Sequence, residues 1–252
     1  MPTAIVRPPS PRLTDGEVTY HERQTVDRDV ASQQWRRYVA CLSDAGFDCV
    51  ELPAADYHPD GVFVEDTVVI VGDTAILTRP GAASRAGEVA SMKRFLSDRG
   101  MALAEITAPG RLDGGDVLKV GTTIYVGRSS RTDDEGIRQF ASLAEPLGFT
   151  IVAVPVAGAL HLKTTLTALP DGTIIGYEPF VADRSPFDTF LPIPEALGAS
   201  VLILDDTRVL MSDSAPETAA LLEDRGLGVV TVPITEFEKI EGGVTCLSVR
   251  IR

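Results

Sequence analysis

The stretch VFVEDTVVIVGDTAILT, residues 62–78, decides how the chain folds. Its β-branched residues fall into two runs, Val62 to Val71 and Thr74 to Thr78. The Gly72-Asp73 between them is a hairpin signal, because a two-residue turn needs the positive φ that glycine adopts without strain. Val89, Met92 and Leu96 then recur at helical spacing, Gly100 closes that segment, and Leu103 to Ile106 can run as a further strand. One unit of the chain therefore reads strand, strand, helix, strand.

The order recurs downstream. Asp116 to Val120, Gly121-Thr122 and Thr123 to Val126 form a second hairpin. Thr132 or Asp133 can cap a helix carrying Ile137, Phe140, Leu143 and Leu147; Gly148 ends it, and Ile151 to Val156 is strand. A third hairpin is Leu162 to Leu169, Asp171-Gly172 and Thr173 to Tyr177. It leads into a Pro-rich, weakly helical stretch, Asp183 to Leu197, and a strand from Val201 to Leu204. In the fourth unit Arg208 to Met211 precede Ser214-Ala215-Pro216-Glu217, a capping box for a helix with Leu221 and Leu222, and Val229 to Val232 is strand. Thr235 to Glu238 is a second capping box on a short helix that Gly242-Gly243 ends, and the chain closes with Thr245 to Ile251.

The N-terminus supplies what the fifth unit lacks. Thr3 to Arg7 is an apolar strand, Val30, Trp35, Tyr38, Val39 and Leu42 mark one face of a helix ended by Gly46, and Cys49 to Leu52 is strand. A last strand pairing with a first strand closes a ring of blades without leaving edges. The period of about 40 to 50 residues falls where repeat architectures occur; the same periodicity also permits an open α/β sheet. No linker interrupts it, so residues 1–252 read as a single domain.

Composition narrows the function. At 252 residues with 44% hydrophobic and 23% charged side chains, the chain has globular usage and can bury a core of its own. Three cysteines, Cys41, Cys49 and Cys246, are too few and too odd for a disulfide scaffold and fit a reducing, cytoplasmic setting. A net charge of −13 disfavours nucleic acid and anionic membrane as partners, and no apolar run is long enough to span a bilayer. Small cationic substrates suit such a surface, and a homo-oligomer is compatible with it.

Four polar clusters stand beside the first strand of their units, and a ring would bring them to one axis. They are Asp60 with Glu65-Asp66, Asp113-Gly-Gly-Asp116, His161-Leu-Lys-Thr164 and Gly242-Gly-Val-Thr-Cys246. Cys246 by default is a buried structural thiol; as a nucleophile it needs a base, for which His161 is the best-placed histidine, with Asp113 or Asp116 to fix its tautomer. Glu65-Asp66 interrupts an apolar run. If that run is a strand buried on both faces, at least one carboxylate points inward and demands a cation, either an internal Arg or a guanidinium ligand. Arg85 and Arg131 follow two hairpins and by default are solvated charges. Phosphate-loop, dinucleotide, HExxH, CxxC and GxSxG signatures are absent, and no spaced ligand pairs suggest a metal.

With a carboxylate pair, an Asp-Gly-Gly-Asp, a histidine and a near-terminal cysteine in this order, the chain resembles the dimethylarginine dimethylaminohydrolases of the guanidine-modifying pentein superfamily. The resemblance runs through Asp60-Gly-Val-Phe-Val-Glu65-Asp66-Thr67, Thr78-Arg-Pro-Gly-Ala-Ala-Ser-Arg85, Leu112-Asp-Gly-Gly-Asp-Val-Leu118, Leu160-His-Leu-Lys163 and Gly243-Val-Thr-Cys246. It implies a five-bladed α/β propeller, a ring of ββαβ units closed by the N- and C-terminal strands. It further implies hydrolysis of Nω-methylated L-arginine to L-citrulline and a methylamine through a covalent S-alkylthiouronium intermediate, with no cofactor. In that family pattern Cys246 matches the nucleophile, His161 the acid/base and Asp113 its orienting carboxylate. Glu65 and Asp66 match groups gripping the guanidinium. Asp60, Arg85 and Arg131 match groups positioning substrate, the arginines near its α-carboxylate, and Ile240 and Glu241 match contacts to its other end. Leu13 to Thr19 stands where relatives carry a mobile lid. Arginine or agmatine deiminase chemistry is the nearest alternative, and a non-catalytic binding propeller is the alternative of another class.

Overall fold

The computed structural model of the protein describes residues 1–251. The chain enters through strand β1 (Thr3–Val6), helix α1 (Arg28–Asp44) and β2 (Asp48–Glu51). Next come β3 (Val68–Val71), β4 (Thr74–Leu77), α2 (Val89–Asp98) and β5 (Ala102–Glu105). The same order returns as β6 (Val117–Val120), β7 (Thr123–Arg128), α3 (Asp134–Ala144) and β8 (Thr150–Pro155). A one-turn helix α4 (Leu162–Thr165) leads into β9 (Leu166–Ala168), β10 (Ile174–Gly176) and β11 (Phe190–Pro192). Then follow β12 (Val201–Ile203), β13 (Arg208–Ser212), α5 (Pro216–Asp224), β14 (Gly228–Val232), a short α6 (Thr235–Glu238) and β15 (Val249–Ile251).

These strands make five three-stranded sheets of one design. In each, the middle strand pairs antiparallel with one neighbour and parallel with the other, as β4 does with β3 and β5. The ring closes where β15 pairs antiparallel with β1, Thr3 opposite Ile251, while β1 runs parallel to β2. Val68, Val117, Thr167, Val201 and Val249, one from the inner strand of every blade, line a common cavity of about 370 Å³. That convergence is the axis of a five-bladed propeller.

The hairpin turns form as read, with Gly72, Gly121 and Gly172 all at positive φ. Helix starts divide by chemistry. Asp27 accepts the N–H groups of Asp29 and Val30, and Asp133 accepts that of Gly136, so both act as N-caps. The two predicted capping boxes do not form: Ser214 donates its hydroxyl to Glu238 instead, and the N-cap of α6 is Ile234, with no side-chain cap. Apolar faces of the helices complete the packing, as Trp35, Tyr38 and Leu42 of α1 do against Phe237 and Leu247.

Four blade boundaries depart from the sequence reading. The stretch 183–197 contains strand β11 rather than helix, and β11 completes the third blade by pairing parallel to β10. The segment from Val201 therefore belongs to the fourth blade, antiparallel to β13. The runs read as strand from Val62, Asp116 and Leu162 begin instead with helical turns, Val64–Thr67, Gly114–Asp116 and α4. Those turns carry the polar clusters.

Candidate active site

Because each turn sits at the start of an inner strand, backbone and carboxylates meet blade to blade around the axis. The Glu65 N–H donates to the Cys246 carbonyl at 3.2 Å. Gly115 N–H donates to Asp66 Oδ1 at 2.8 Å, and Leu162 N–H to Asp116 Oδ1 at 2.9 Å. The Gly-Gly is a steric demand: a Cβ on Gly114 would stand 2.0 Å from the Glu65 carbonyl oxygen, and one on Gly115 2.6 Å from His161 Nδ1. Both carboxylates of Glu65-Asp66 are buried, and since they lie in a helical turn the strand alternation expected for them does not apply.

His161 is buried and its Nε2 lies 2.9 Å from Asp113 Oδ2, with Asp66 Oδ1 4.0 Å from its Nδ1. Asp113 is itself fixed, accepting the Gly81 N–H at 2.7 Å on its other oxygen. Asp116 points elsewhere, to the hydroxyls of Ser129 and Thr132 at 2.6 Å each, and so acts as scaffold. Of the two aspartates that the residues left open, Asp113 is the one on the histidine.

Cys246, His161, Asp60, Asp66, Arg85, Arg131, Ile240 and Glu241 line one small cavity of about 20 Å³. Asp113 stands behind His161. Glu65 faces the axial cavity, its Oε1 2.6 Å from Lys163 Nζ and 3.4 Å from Arg250 Nη2, while its Oε2 is buried with no hydrogen-bond partner. A wider cavity of about 300 Å³ reaches Cys246 from another side, beneath Tyr20 and Leu160.

Arg85 differs most from the sequence reading of it. Only 4% exposed, it donates from Nη1 to Asp66 Oδ2 at 2.5 Å, from Nε and Nη2 to Glu88, and from Nη2 to the Phe63 and Asp60 carbonyls. It is a buried hub rather than a surface charge. Arg131 is also buried, but its guanidinium meets the 13–19 segment, at Glu17 Oε2 (2.8 Å) and Thr19 Oγ1 (3.4 Å). Asp60 accepts the Glu17 N–H, and Glu241 accepts those of Thr19, Tyr20 and His21. Glu241 holds this position at φ 64°, strained backbone for a residue other than glycine.

Fields within the site are strong. Burial, then the Glu65 and Asp66 charges, push the Cys246 thiol up to about 12. Burial alone would lower His161, but the carboxylates of Asp66, Asp113 and Asp116 outweigh it and hold the imidazole at about 9. Burial likewise opposes ionisation of Asp66, yet His161 and Arg85 keep it at about 2. At neutral pH the resting pair is thus a thiol beside an imidazolium. Asp66, Asp113 and His161 offer ligand atoms within 4.8 Å of one another and could hold a cation, although Asp66 and Asp113 are already engaged by Arg85, Gly115 and Gly81.

Glu17, Ser84 and Glu88 belong to this neighbourhood and were not singled out by the sequence. For Glu88 there was a signal, the i, i+3 spacing from Arg85. Glu17 has none, since its partner Arg131 is 114 residues away.

No family model matches the chain. A curated N(G),N(G)-dimethylarginine dimethylaminohydrolase of Streptomyces coelicolor is 52% identical over 249 residues, covering 99% of this chain and 96% of its own. One from Pseudomonas aeruginosa is 34% identical, covering 98% of both chains. Among solved structures, a cysteine-to-serine variant of Pseudomonas aeruginosa DDAH complexed with citrulline superposes with a TM-score of 0.91 at 33% identity, over 99% of this chain and 98% of that one.

Proposed function

Since this chain belongs to the dimethylarginine dimethylaminohydrolase family, we propose that residues 1–252 act as one catalytic domain that hydrolyses Nω-methylated L-arginine to L-citrulline and a methylamine. The observation that carries the reading is Glu65 Oε2, a buried carboxylate oxygen without a hydrogen-bond partner, on a carboxylate that borders the axial cavity yet lies close enough to Cys246 for its charge to act on the thiol. Leaving such an atom unsatisfied is costly, and a guanidinium N–H would satisfy it. Asp66 supplies the second carboxylate of the grip.

A resting thiol fits this chemistry. When a guanidinium enters, its charge offsets Glu65 and Asp66, which are what raise the Cys246 pKa after burial, and the thiol proton passes to solvent as the cation arrives. The thiolate then adds to the guanidino carbon. His161, protonated at rest and oriented by Asp113, gives its proton to the departing amine as the C–N bond breaks. The imidazole so generated takes a proton from water, the hydroxide adds to the thiouronium carbon, and the C–S bond breaks as the hydroxyl proton passes to the Cys246 sulfur, releasing citrulline and restoring the thiol.

Arg131 is the residue placed to hold the substrate α-carboxylate. It faces the cavity, and in the absence of substrate it already binds a carboxylate, that of Glu17. Asp60, Ile240 and Glu241 border the same end, where Asp60 and Glu241 carry negative charge toward an α-ammonium. Arg85 spends most of its donors on protein acceptors, so its chief part is to fix Asp66.

The test is product formation from asymmetric dimethylarginine, monomethylarginine, arginine and agmatine, read as citrulline or carbamoylputrescine together with the released amine. Turnover confined to the methylated arginines supports the proposal. Preference for arginine or agmatine, with ammonia released, would replace it by deiminase chemistry.

The His161 pKa gives a pH expectation. The value of kcat/KM falls above about pH 9, as the imidazolium that protonates the leaving amine is lost from the free enzyme. Stability moves in the same sense. The folded pKa lies above the ordinary 6.5, so the His161 contribution is complete below pH 6.5 and disappears as pH rises through about 9. Thermal unfolding of the free protein should show a decline across that window, and His161→Gln should flatten it.

A further inference from the structure

We infer that Glu17 is a built-in competitor for the α-carboxylate of substrate, occupying Arg131 in the free enzyme and so setting KM selectively for carboxylate-bearing substrates. The inference rests on the methylarginine reading above, with Arg131 as the α-carboxylate holder.

The geometry is that of an occupied anion seat. Arg131 Nη2 donates to Glu17 Oε2 at 2.8 Å, and the Ser84 hydroxyl donates to Glu17 Oε1. The Glu17 backbone is pinned as well, its N–H shared by both oxygens of Asp60 at 3.2 Å. One side of the lid is tethered by Leu13, fully buried in the core, and the other by Glu241 through three successive N–H groups. Between those anchors the Glu17 carboxylate stands over the cavity that Cys246 and His161 also line.

Space makes the two occupants exclusive. The cavity of about 20 Å³ left beneath the docked lid has room for about one water molecule. The wider cavity of about 300 Å³ reaches Cys246 without including Arg131 or Glu17, so a guanidino compound without an α-carboxylate can approach the thiol with Glu17 in place, whereas one that seats a carboxylate on Arg131 must displace the Glu17 contact. Its α-carboxylate carries the charge and paired oxygens that Glu17 presents to Arg131, so one guanidinium exchanges one carboxylate for another. Substrate without an α-carboxylate gains nothing from that exchange.

The size of the effect follows from the docked fraction. A ligand that binds only the undocked state has its apparent affinity reduced by the fraction undocked, so docking for about four-fifths to nine-tenths of the time raises KM about five- to tenfold. A partly exposed ion pair supplemented by a hydroxyl can sustain such a bias.

The experiment compares wild type, Glu17→Gln and Ser84→Ala. KM and kcat are measured for asymmetric dimethylarginine, and the inhibition constant is measured for its decarboxylated counterpart, N,N-dimethylagmatine. Glu17→Gln is expected to lower KM about five- to tenfold with kcat within about twofold. Ser84→Ala should shift KM in the same direction by less, and the inhibition constant of the carboxylate-free analogue should not change. An unchanged or raised KM would overturn the inference, the latter because Glu17 would then be assisting substrate. An equal gain for both ligands would overturn it too, since the lid would be excluding substrate without regard to its carboxylate. Failure of wild type to turn over any methylated arginine would instead strike the parent reading, and is told apart by the substrate panel.

Discussion

Cys246→Ser loses citrulline formation from methylated arginine by roughly four orders of magnitude or more, while the fold and the binding of substrate persist. The loss follows from the field at the site. Burial and the Glu65 and Asp66 carboxylates already push the more acidic thiol up to about 12. An alcohol starts several pKa units higher, so a cationic substrate that frees the thiolate leaves the alcohol protonated. The nucleophile would then have to shed its proton during attack, and His161, held as imidazolium, is in no state to take it. The deficit should fall on kcat. Acid-quenched mass spectrometry completes the check: a covalent adduct on Cys246 in wild type during turnover, and none in the serine variant. Cys41→Ser and Cys49→Ser serve as controls, since both thiols pack against the core near α1 and neither lines the catalytic cavity. A serine variant retaining a tenth of the activity would remove Cys246 as nucleophile.

How much of this could be read beforehand differs between local and long-range features. Hairpins at Gly72, Gly121 and Gly172 were visible because a positive φ restricts residue choice, and α1 and α3 because their apolar faces repeat at helical spacing. The helical turns before β3, β6 and β9 were hidden, since Val64–Thr67 sits inside the β-branched run from Val62 to Val71 and is bent by its place in the ring: the Glu65 N–H must meet Cys246 and Asp66 must meet Gly115. Strand β11 was hidden because it is three residues long, ends in proline and lacks the α-helix that precedes the outer strand of the other blades. At the site, Cys246, His161 and the carboxylates stood out as polar groups in apolar surroundings. The destinations of the arginines did not, because Arg85 and Arg131 look alike in sequence and are separated only by which acids the fold carries to them.

That separation gives the second large effect. Arg85→Ala should destabilise the protein by about 3–5 kcal/mol, because it strips the counter-charge from buried carboxylates. Glu88 is 1% exposed and Asp66 2%, and among the described residues the hydrogen bonds accepted by the Glu88 carboxylate all come from Arg85. The fully buried Arg7 lies near enough to act electrostatically on this group, yet its Nη groups donate to the Gly61 carbonyl and Ser91 and its Nε reaches neither Glu88 nor Asp66. For a chain of this length the loss lowers the unfolding midpoint by about 10 °C, measured by calorimetry at pH 7. Asp66 would also be freed to turn from His161, so kcat should drop with stability. Arg131→Ala is the contrast: its ion pair is with Glu17 of the lid, 38% exposed, so the midpoint should hold while KM for asymmetric dimethylarginine rises. Were Arg85 chiefly a substrate-carboxylate group, the two variants would behave alike, with stable folds and raised KM. A stable Arg85→Ala would therefore reassign the charge hub to substrate binding, whereas opposite behaviour of the two arginines would show that one builds the site and the other reads the ligand.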